Sequence, residues 1–522
     1  MLIHDILYKS AHLYGDNVFI KSDHRVLTFL DLENKSYNVS RYLSEFPPQS
    51  VIGIMLKNSI EYIICYFAII RAGHIAVPVN PELKGQMLEH ILKDCSFSLL
   101  FTDSKSRTNL NDIHPKSKIV VVDCTFSNET GDYVEDDDCI SFKEALVNHG
   151  YSRDYLQSNK INEEDTILIL YTSGTMGKAK GVCLTHKNLL SNMEAINERI
   201  GINSSDNMLV IIPFYYSYGN SLILSHLDKG ATLTLNHNSL FPNLILDNLE
   251  KCNSLAGVAS NFVMLLKRSN IGKRNLTALR YVTFAGEPIS DWIIEELMRL
   301  FPGLKVFIMY GQTEATARLT ILKSEELETK KGAVGRPIKD VIIEIVGNKG
   351  ELLPPGQLGD IVASGPNIMR GYWNDSTETS HKLKGGNKLI TGDYGWLDEA
   401  GYLYVQGRKD DMIKVGGEKV FPLEIERIIM QNPQVLEVAV IGYCKDHSGS
   451  EALSDYIGNE IVACIVKKDE IDKKSIIKYC LQQLPMHKIP KVICFVDELP
   501  KTSSGKLQRS ILKDMYHRGV IA

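Results

Sequence analysis

Short apolar, β-branched runs recur along this chain at intervals filled by helix-length segments, and that alternation restricts its fold most. VIGIML (51–56), AVPVN (76–80) and SLLFTD (98–103) have the character of buried strands. Between them, SIEYIICYFAIIRAG (59–73) and QMLEHILKDC (86–95) have that of helices, the first stopped by Gly73. Strands separated by helices of this length need crossover connections and therefore a parallel sheet. The pattern resumes with TILILYTS (166–173), MLVIIPF (208–214), ATLTL (231–235), LRYVTFAG (279–286) and KVFIMYG (305–311). Each run ends in small or polar residues, and ligand groups of open α/β sheets gather at such strand ends.

From Gly332 to Gly407 turn signals come closer together, as in GNKG (347–350), PPG (354–356) and DEAG (398–401), which predicts a smaller β-rich subdomain. Beyond Arg408, helices near 422–431 and 474–484 and strands at 438–442, 460–466 and 491–496 suffice for a separate α+β domain. The expected fold class is thus α/β: a large N-terminal domain of parallel-rich sheets packed with helices plus a small β-rich subdomain, then a small mobile α+β C-terminal domain. The boundary is placed between 1–408 and 409–522.

A chain of 522 residues has ample core material for this. Its formal charge of -5, from 58 basic and 63 acidic side chains, disfavours bulk electrostatic binding to nucleic acid. The longest apolar stretch, Tyr62 to Ile70, is too short to span a bilayer and the start lacks a signal-peptide core, so no membrane span and a cytoplasmic location are expected. Ten cysteines never reach CxxC spacing, which fits reduced, buried thiols. The acidic run Glu135 to Asp138 reads as a solvated turn.

The strongest local signal is YTSGTMGKAKG (171–181), following an apolar strand. Hydroxyls, glycines and lysines so concentrated make a phosphate cradle: glycines let backbone N–H groups approach, hydroxyls donate, lysines balance charge. It does not match the GxxxxGK[ST] loop of other nucleotide sites. Taken alone it also fits a plain surface hairpin.

With YGQTE (310–314), TGD (391–393), GRKDDMIK (407–414) and PKTSSGK (500–506) in that order, the chain resembles the adenylate-forming superfamily of acyl-CoA synthetases, adenylation domains and beetle luciferases. The resemblance extends from residues 53–81 to Arg509.

It implies that Thr172, Ser173, Gly174, Thr175, Gly177 and Lys180 grip the ATP phosphates, and that Gly286, Glu287, Pro288, Gly311 and Gln312 complete the nucleotide site. Tyr310 would stack on adenine, a task suited to an aromatic face. Thr313 would contact the α-phosphate, Glu314 would hold magnesium through carboxylate oxygen, and Asp393 would accept the ribose hydroxyls with Arg408 assisting. Lys506 would reach in from the small domain to the substrate carboxylate and α-phosphate. Asp410 matches the hinge, and Gly416 and Gly417 the segment lining a pantetheine tunnel, where glycine would let a thin arm pass close to backbone.

Acid specificity is expected on Tyr215, Tyr216 and Gly219, on Asn261 and Phe262, and around Ala285 to Pro288. PFYYSYG (213–219) holds no carboxylate where amino-acid-activating domains place an Asp, so an α-amino acid is disfavoured. Met176 and Ala179 depart from the family's loop, in place of a hydroxyl residue and a proline, which puts one phosphate contact and some stiffness in doubt. The segment Lys445 to Asn459 is longer than its family counterpart and reads as a surface loop or a docking face.

The function implied is ATP-dependent conversion of a non-amino carboxylic acid to an acyl-adenylate, then acyl transfer to coenzyme A, with ATP, Mg2+ and coenzyme A as cofactors. The alternatives are loading of a separate phosphopantetheinyl carrier protein, as in an acyl-ACP ligase, a luciferase-like oxygenase, and a non-catalytic nucleotide-binding descendant.

Overall fold

The structure is a computed structural model and describes residues 1–110, 113, 117–123, 139–142, 161–172, 179–237, 241–443, 459–501 and 507–521. Calls made from sequence on Ser173, Gly174, Thr175, Met176, Gly177, the 135–138 run, most of 445–459 and Lys506 lie outside these residues.

Two large sheets form the N-terminal part. One has eight strands, in the order Gly371–Tyr372, Lys180–Thr185, Thr166–Thr172, Ile75–Pro78, Val51–Met55, Leu99–Thr102, Lys118–Val121 and Cys139–Ser141. The other has nine and runs from Arg336–Pro337 through Thr320–Leu322, Lys305–Tyr310, Tyr281–Phe284, Ser254–Gly257, Asn207–Val210 and Thr232–Leu235 to Val18–Ser22 and Arg25–Thr28. The centres of both sheets are parallel, as the crossover pattern predicts. Antiparallel pairs lie toward the edges, among them Thr166–Thr172 with Lys180–Thr185 and Lys305–Tyr310 with Thr320–Leu322.

A single apolar cluster joins the inward faces of the two sheets to the helices Ile3–Tyr14, Phe29–Leu43, Ile60–Arg71, His186–Ile200 and Ser217–Lys229. Ile60–Arg71 is buried at every position but Glu61, which is why its sequence shows no polar face. Ser59 caps it, accepting from the Tyr62 N–H at 3.0 Å, and Gly73 closes it at φ 77°.

The run 208–214 departs from expectation, because the strand stops at Val210. Beyond it the backbone bonds to a side chain instead of the ladder: Asn58 Nδ2 donates to Ile212 O at 3.0 Å and Phe214 N donates to Asn58 Oδ1 at 2.8 Å. The hairpin Val18–Ser22 and Arg25–Thr28 drew no strand expectation, yet it edges the nine-stranded sheet by pairing in parallel with Thr232–Leu235.

The β-rich piece is a five-stranded sheet that includes Ile342–Val346, Gly359–Ser364, Lys388–Leu397 and Leu403–Arg408. After Arg408 comes the hairpin Ile413–Val415 and Glu418–Val420. The last sheet sets Val435–Tyr443 antiparallel to Glu460–Lys467, which in turn pairs in parallel with Val492–Phe495. The helices Pro422–Met430 and Lys473–Gln483 pack there. Seven cysteines, at 65, 95, 183, 252, 464, 480 and 494, are free and buried. Among the described residues no helix is long and apolar enough to cross a membrane.

Candidate active site

Strand ends place the chemistry. Tyr310 ends Lys305–Tyr310, and Asp393 and Arg408 face each other across the antiparallel pair Lys388–Leu397 and Leu403–Arg408. The Tyr310 hydroxyl donates to Asp393 Oδ2 at 2.6 Å, and Arg408 Nη1 lies 3.4 Å from Asp393 Oδ1. Burial pushes the Asp393 carboxyl up, opposed by Arg408, Tyr310 and Lys382. Gly392, between Arg408 and Lys382, stands at φ 81°, a left-handed backbone that favours glycine.

Glu314 sits in a one-turn 3-10 segment, Thr313–Ala315, directly after that strand. Its Oε1 accepts the Tyr372 hydroxyl at 2.8 Å and its carbonyl takes the Met369 N–H at 2.9 Å. A Cβ on Gly311 would strike Ala317 O at 2.0 Å, which admits only glycine. The turn continues through Thr316 and Ala317 at φ 53° and 91°, left-handed for non-glycine residues, a strain of about 1–3 kcal/mol each. Asn367 holds the turn in place: its Nδ2 donates to Ala315 O at 3.0 Å and Arg318 O at 2.9 Å, and its carbonyl accepts Thr316 Oγ1 at 2.6 Å. Thr313 Oγ1 lies 3.2 Å from Ser217 Oγ at the start of Ser217–Lys229. Gln312 Nε2 is buried with no partner among the described residues, a donor left over for a ligand.

The glycine-rich loop is anchored at both ends. Thr172 and Lys180 are cross-strand partners, and the Ala179 carbonyl bonds His90 Nε2 at 3.0 Å. Lys180 pairs with Glu378 and lies 5.4 Å from the Tyr372 ring centre. Tyr372 therefore links Glu314 to Lys180.

Three residues here drew no attention from sequence. Glu378 and Lys382 lie on Ser376–Lys382, and Tyr372 on the short strand before it. Lys382 Nζ donates to Thr391 O at 2.9 Å. Burial depresses its ammonium, while Glu314 and Asp393 hold it up and Arg408 and Lys180 push it down. The one available signal was a lysine ending a short helix just before TGD.

The acid-pocket candidates divide. Tyr215 and Tyr216 meet edge to face at 4.7 Å, immediately before Ser217–Lys229. Gly219 serves a close approach, since a Cβ would lie 2.1 Å from Pro213 O. Asn261 Oδ1 accepts the Val258 N–H at 3.0 Å as the cap of Ala259–Arg268, and Phe262 packs 4.1 Å from Phe284 in the core. Among 285–288, Gly286 turns at φ 85° and Glu287 Oε2 accepts the Ser260 N–H at 3.0 Å, with Pro288 following.

Asp410 is exposed, next to Asp411, whose carboxylate lies 3.5 Å from Arg509 on the last helix. Gly416 and Gly417 form the tip of the hairpin 413–420 at φ 57° and 87°, with open space where a Cβ would sit. The tight turn, left-handed at both residues, favours glycine at both positions.

Among the described residues no cluster of three metal ligands occurs. The buried Glu314 carboxylate, an oxygen donor without a cationic partner of its own among the described residues, fits a magnesium ion that takes its remaining ligands from phosphates and water.

Comparison with known proteins gives the family. The family model described as AMP-binding enzyme matches residues 7–373, and that described as AMP-binding enzyme C-terminal domain matches 424–506. A long-chain-fatty-acid–CoA ligase of Escherichia coli O6:H1 is 31% identical over 540 residues, covering 98% of this chain and 94% of that protein. A 2-succinylbenzoate–CoA ligase of Bacillus mycoides is 28% identical, covering 98% of each. The o-succinylbenzoate coenzyme A synthetase of Bacillus subtilis, in complex with ATP and magnesium ion, superposes with a TM-score of 0.80 at 26% identity, covering 98% of this chain and 99% of that one. An anthranilate CoA ligase shares the fold at a TM-score of 0.86 and 24% identity, over 100% of this chain and 98% of the other. With both family models matched in order and a relative above thirty per cent identity along nearly its whole length, the chain belongs to the AMP-binding enzymes.

Proposed function

We propose that this protein is an AMP-forming acid–thiol ligase: it activates a non-amino carboxylic acid with ATP, releases pyrophosphate, and passes the acyl group to coenzyme A in the cytoplasm. The observation that carries this reading is the convergence of Glu314, Asp393, Arg408, Tyr372 and Lys382 where three sheets meet.

The residues divide the work. Asp393 and Arg408 hold the ribose, with Tyr310 beside them as the face for adenine. Lys180, Lys382 and the loop 172–180 balance phosphate charge. Glu314, fixed by Tyr372, holds the magnesium ion, which when bound neutralises phosphate oxygens.

In adenylation a carboxylate oxygen attacks the α-phosphorus and the bond to the pyrophosphate oxygen breaks. A carboxylate is already deprotonated at neutral pH, so no general base is needed. Catalysis is positioning and charge stabilisation, by Thr313 at the α-phosphate and Lys506 between the two anions. In the second step the thiol sulfur attacks the acyl carbon and AMP leaves. The adenylate must be shielded from water and then opened to a thiol, and a turn of residues 409–522 against 1–408 about Asp410 reconciles these demands.

The test is pyrophosphate release with Mg-ATP across fatty, aryl and hydroxy acids, with CoA and with a phosphopantetheinylated carrier protein as acceptors. The expected outcome is turnover with CoA, abolished in Lys506→Ala while ATP still binds. Unchanged pyrophosphate release in that variant would overturn the mechanism, and turnover with the carrier protein alone would replace CoA as acceptor.

A further inference from the structure

Among the described residues two arginines are the largest fully buried side chains, and only one of them has a carboxylate partner. Arg71 pairs with Glu33. Arg318, 2% exposed, has no carboxylate partner among the described residues. Its Nε donates to the thioether of Met309 at 3.1 Å, a weak acceptor, and its guanidinium carbon lies 4.3 Å from the centre of the Tyr218 ring. Tyr218 offers a face and no charge, for its hydroxyl bonds the carbonyl and hydroxyl of Thr283 at 2.9 and 2.7 Å, and burial keeps it protonated. A cation–π contact offsets part of the cost of burying a charge, and an anion is still required.

The backbone is built to hold this cation inward. Thr316 and Ala317, both left-handed, precede it, and its carbonyl is clamped by Asn192 Nδ2 and Asn367 Nδ2, each at 2.9 Å. Its two contacts are chain neighbours of residues in the site. Met309 adjoins Tyr310, and Tyr218 follows Ser217, whose hydroxyl lies 3.2 Å from that of Thr313. An unpaired cation thus lies against Tyr218, one helix position beyond Ser217, the residue that touches Thr313.

We propose that the acid activated by this protein is a dicarboxylic acid, and that Arg318 binds the carboxylate that does not react. A guanidinium takes a carboxylate through two parallel N–H···O bonds, which supplies the missing counter-charge and sets which end of the acid faces ATP. An acid with a plain alkyl or aryl end leaves the cation buried and unpaired, and is rejected for that reason. This inference rests on the ligase reading above and narrows its substrate class.

The experiment compares acids in matched pairs, aliphatic α,ω-diacids and aryl diacids against their mono-amides, by kcat/KM for pyrophosphate release. The wild type is expected to favour at least one diacid over its mono-amide by about a hundredfold or more. Arg318→Met should erase most of that ratio through the KM for the acid while the KM for ATP stays, and Arg318→Lys should recover part of it. Equal or better use of the mono-amides by the wild type, or an unchanged ratio in Arg318→Met, overturns the proposal. Thermal stabilisation of the AMP-loaded protein by each acid is read in parallel. If no acid is turned over, the ligase reading fails by itself, while stabilisation by a diacid and not its mono-amide, lost in Arg318→Met, still supports the Arg318 site. Absence of that difference refutes it. Wild-type preference decides the matter even if Arg318→Met does not fold.

Discussion

Arg71 and Arg318 are buried to almost the same degree, 1% and 2% exposed, and do opposite things. Arg71 lies at the end of Ile60–Arg71 with its own counter-ion, Glu33, on the neighbouring helix Phe29–Leu43, and Nη1 also donates to Glu33 O at 3.0 Å and Ser36 Oγ at 3.2 Å. Every interaction there is internal, as expected of a group that fixes two helices. Arg318 hangs from a strained turn with a sulfur and an aromatic ring as neighbours. A charge paired within the fold serves the fold, and one left without a carboxylate is the one proposed to take a ligand.

The comparison breaks most visibly in stability. Arg71→Met is expected to cost about 3–5 kcal/mol by leaving Glu33 buried and unpaired. Urea unfolding would show this as a lowered midpoint, with kcat/KM per folded molecule retained. A loss of activity with unchanged stability would reverse the assignments of the two arginines.

Within the site, Glu314→Gln keeps the shape and removes the charge. A fall in adenylation of about 10²–10³ is expected, the size found when a single charge-stabilising group is removed, with a smaller change in unfolding midpoint. Lys382→Met should act mainly on nucleotide affinity, raising the KM for ATP about tenfold, roughly 1.4 kcal/mol. An unaltered KM would make Lys382 a mere strut for the Thr391 carbonyl. For Arg318→Met, denaturant unfolding should stay within about 1 kcal/mol of the parent or shift upward, since an unpaired buried charge is exchanged for an apolar side chain.

The smallest effect concerns pH. His226, buried on the helix Ser217–Lys229, is pushed down to about 4 by burial from 6.5. Between those values the unfolded chain binds the proton and the folded chain does not. Stability from this group is therefore complete above pH 6.5 and drains away as pH falls toward 4, about 1 kcal/mol by pH 5.5. Urea midpoints at pH 7.5 and 5.5 should differ less in His226→Gln than in the parent.

Much of the site was legible because its parts are local. Tyr310, Glu314 and Asp393 lie inside the short contiguous motifs YGQTE and TGD, through which the resemblance to a family nominates them, although each residue taken alone reads as core or a plain turn. Tyr372, Glu378 and Lys382 escaped for the opposite reason: nothing in their immediate sequence marks them, and they reach Glu314, Lys180 and Thr391 only because a short helix folds back over the hairpin base. Phe262 and Asn261 show the converse. Acid specificity is expected of both, and the structure adds to each a role that no sequence pattern showed, a ring contact with Phe284 for one and a helix cap for the other.

The alternation of apolar runs with helix-length segments determined by itself that this chain forms layered α/β sheets, because periodicity and burial act over neighbouring residues. Which cations acquire partners was decided only in three dimensions. Electrostatic pairing depends on distances between segments far apart in the chain, and nothing near position 71 or 318 says that one arginine will find a carboxylate and the other will not.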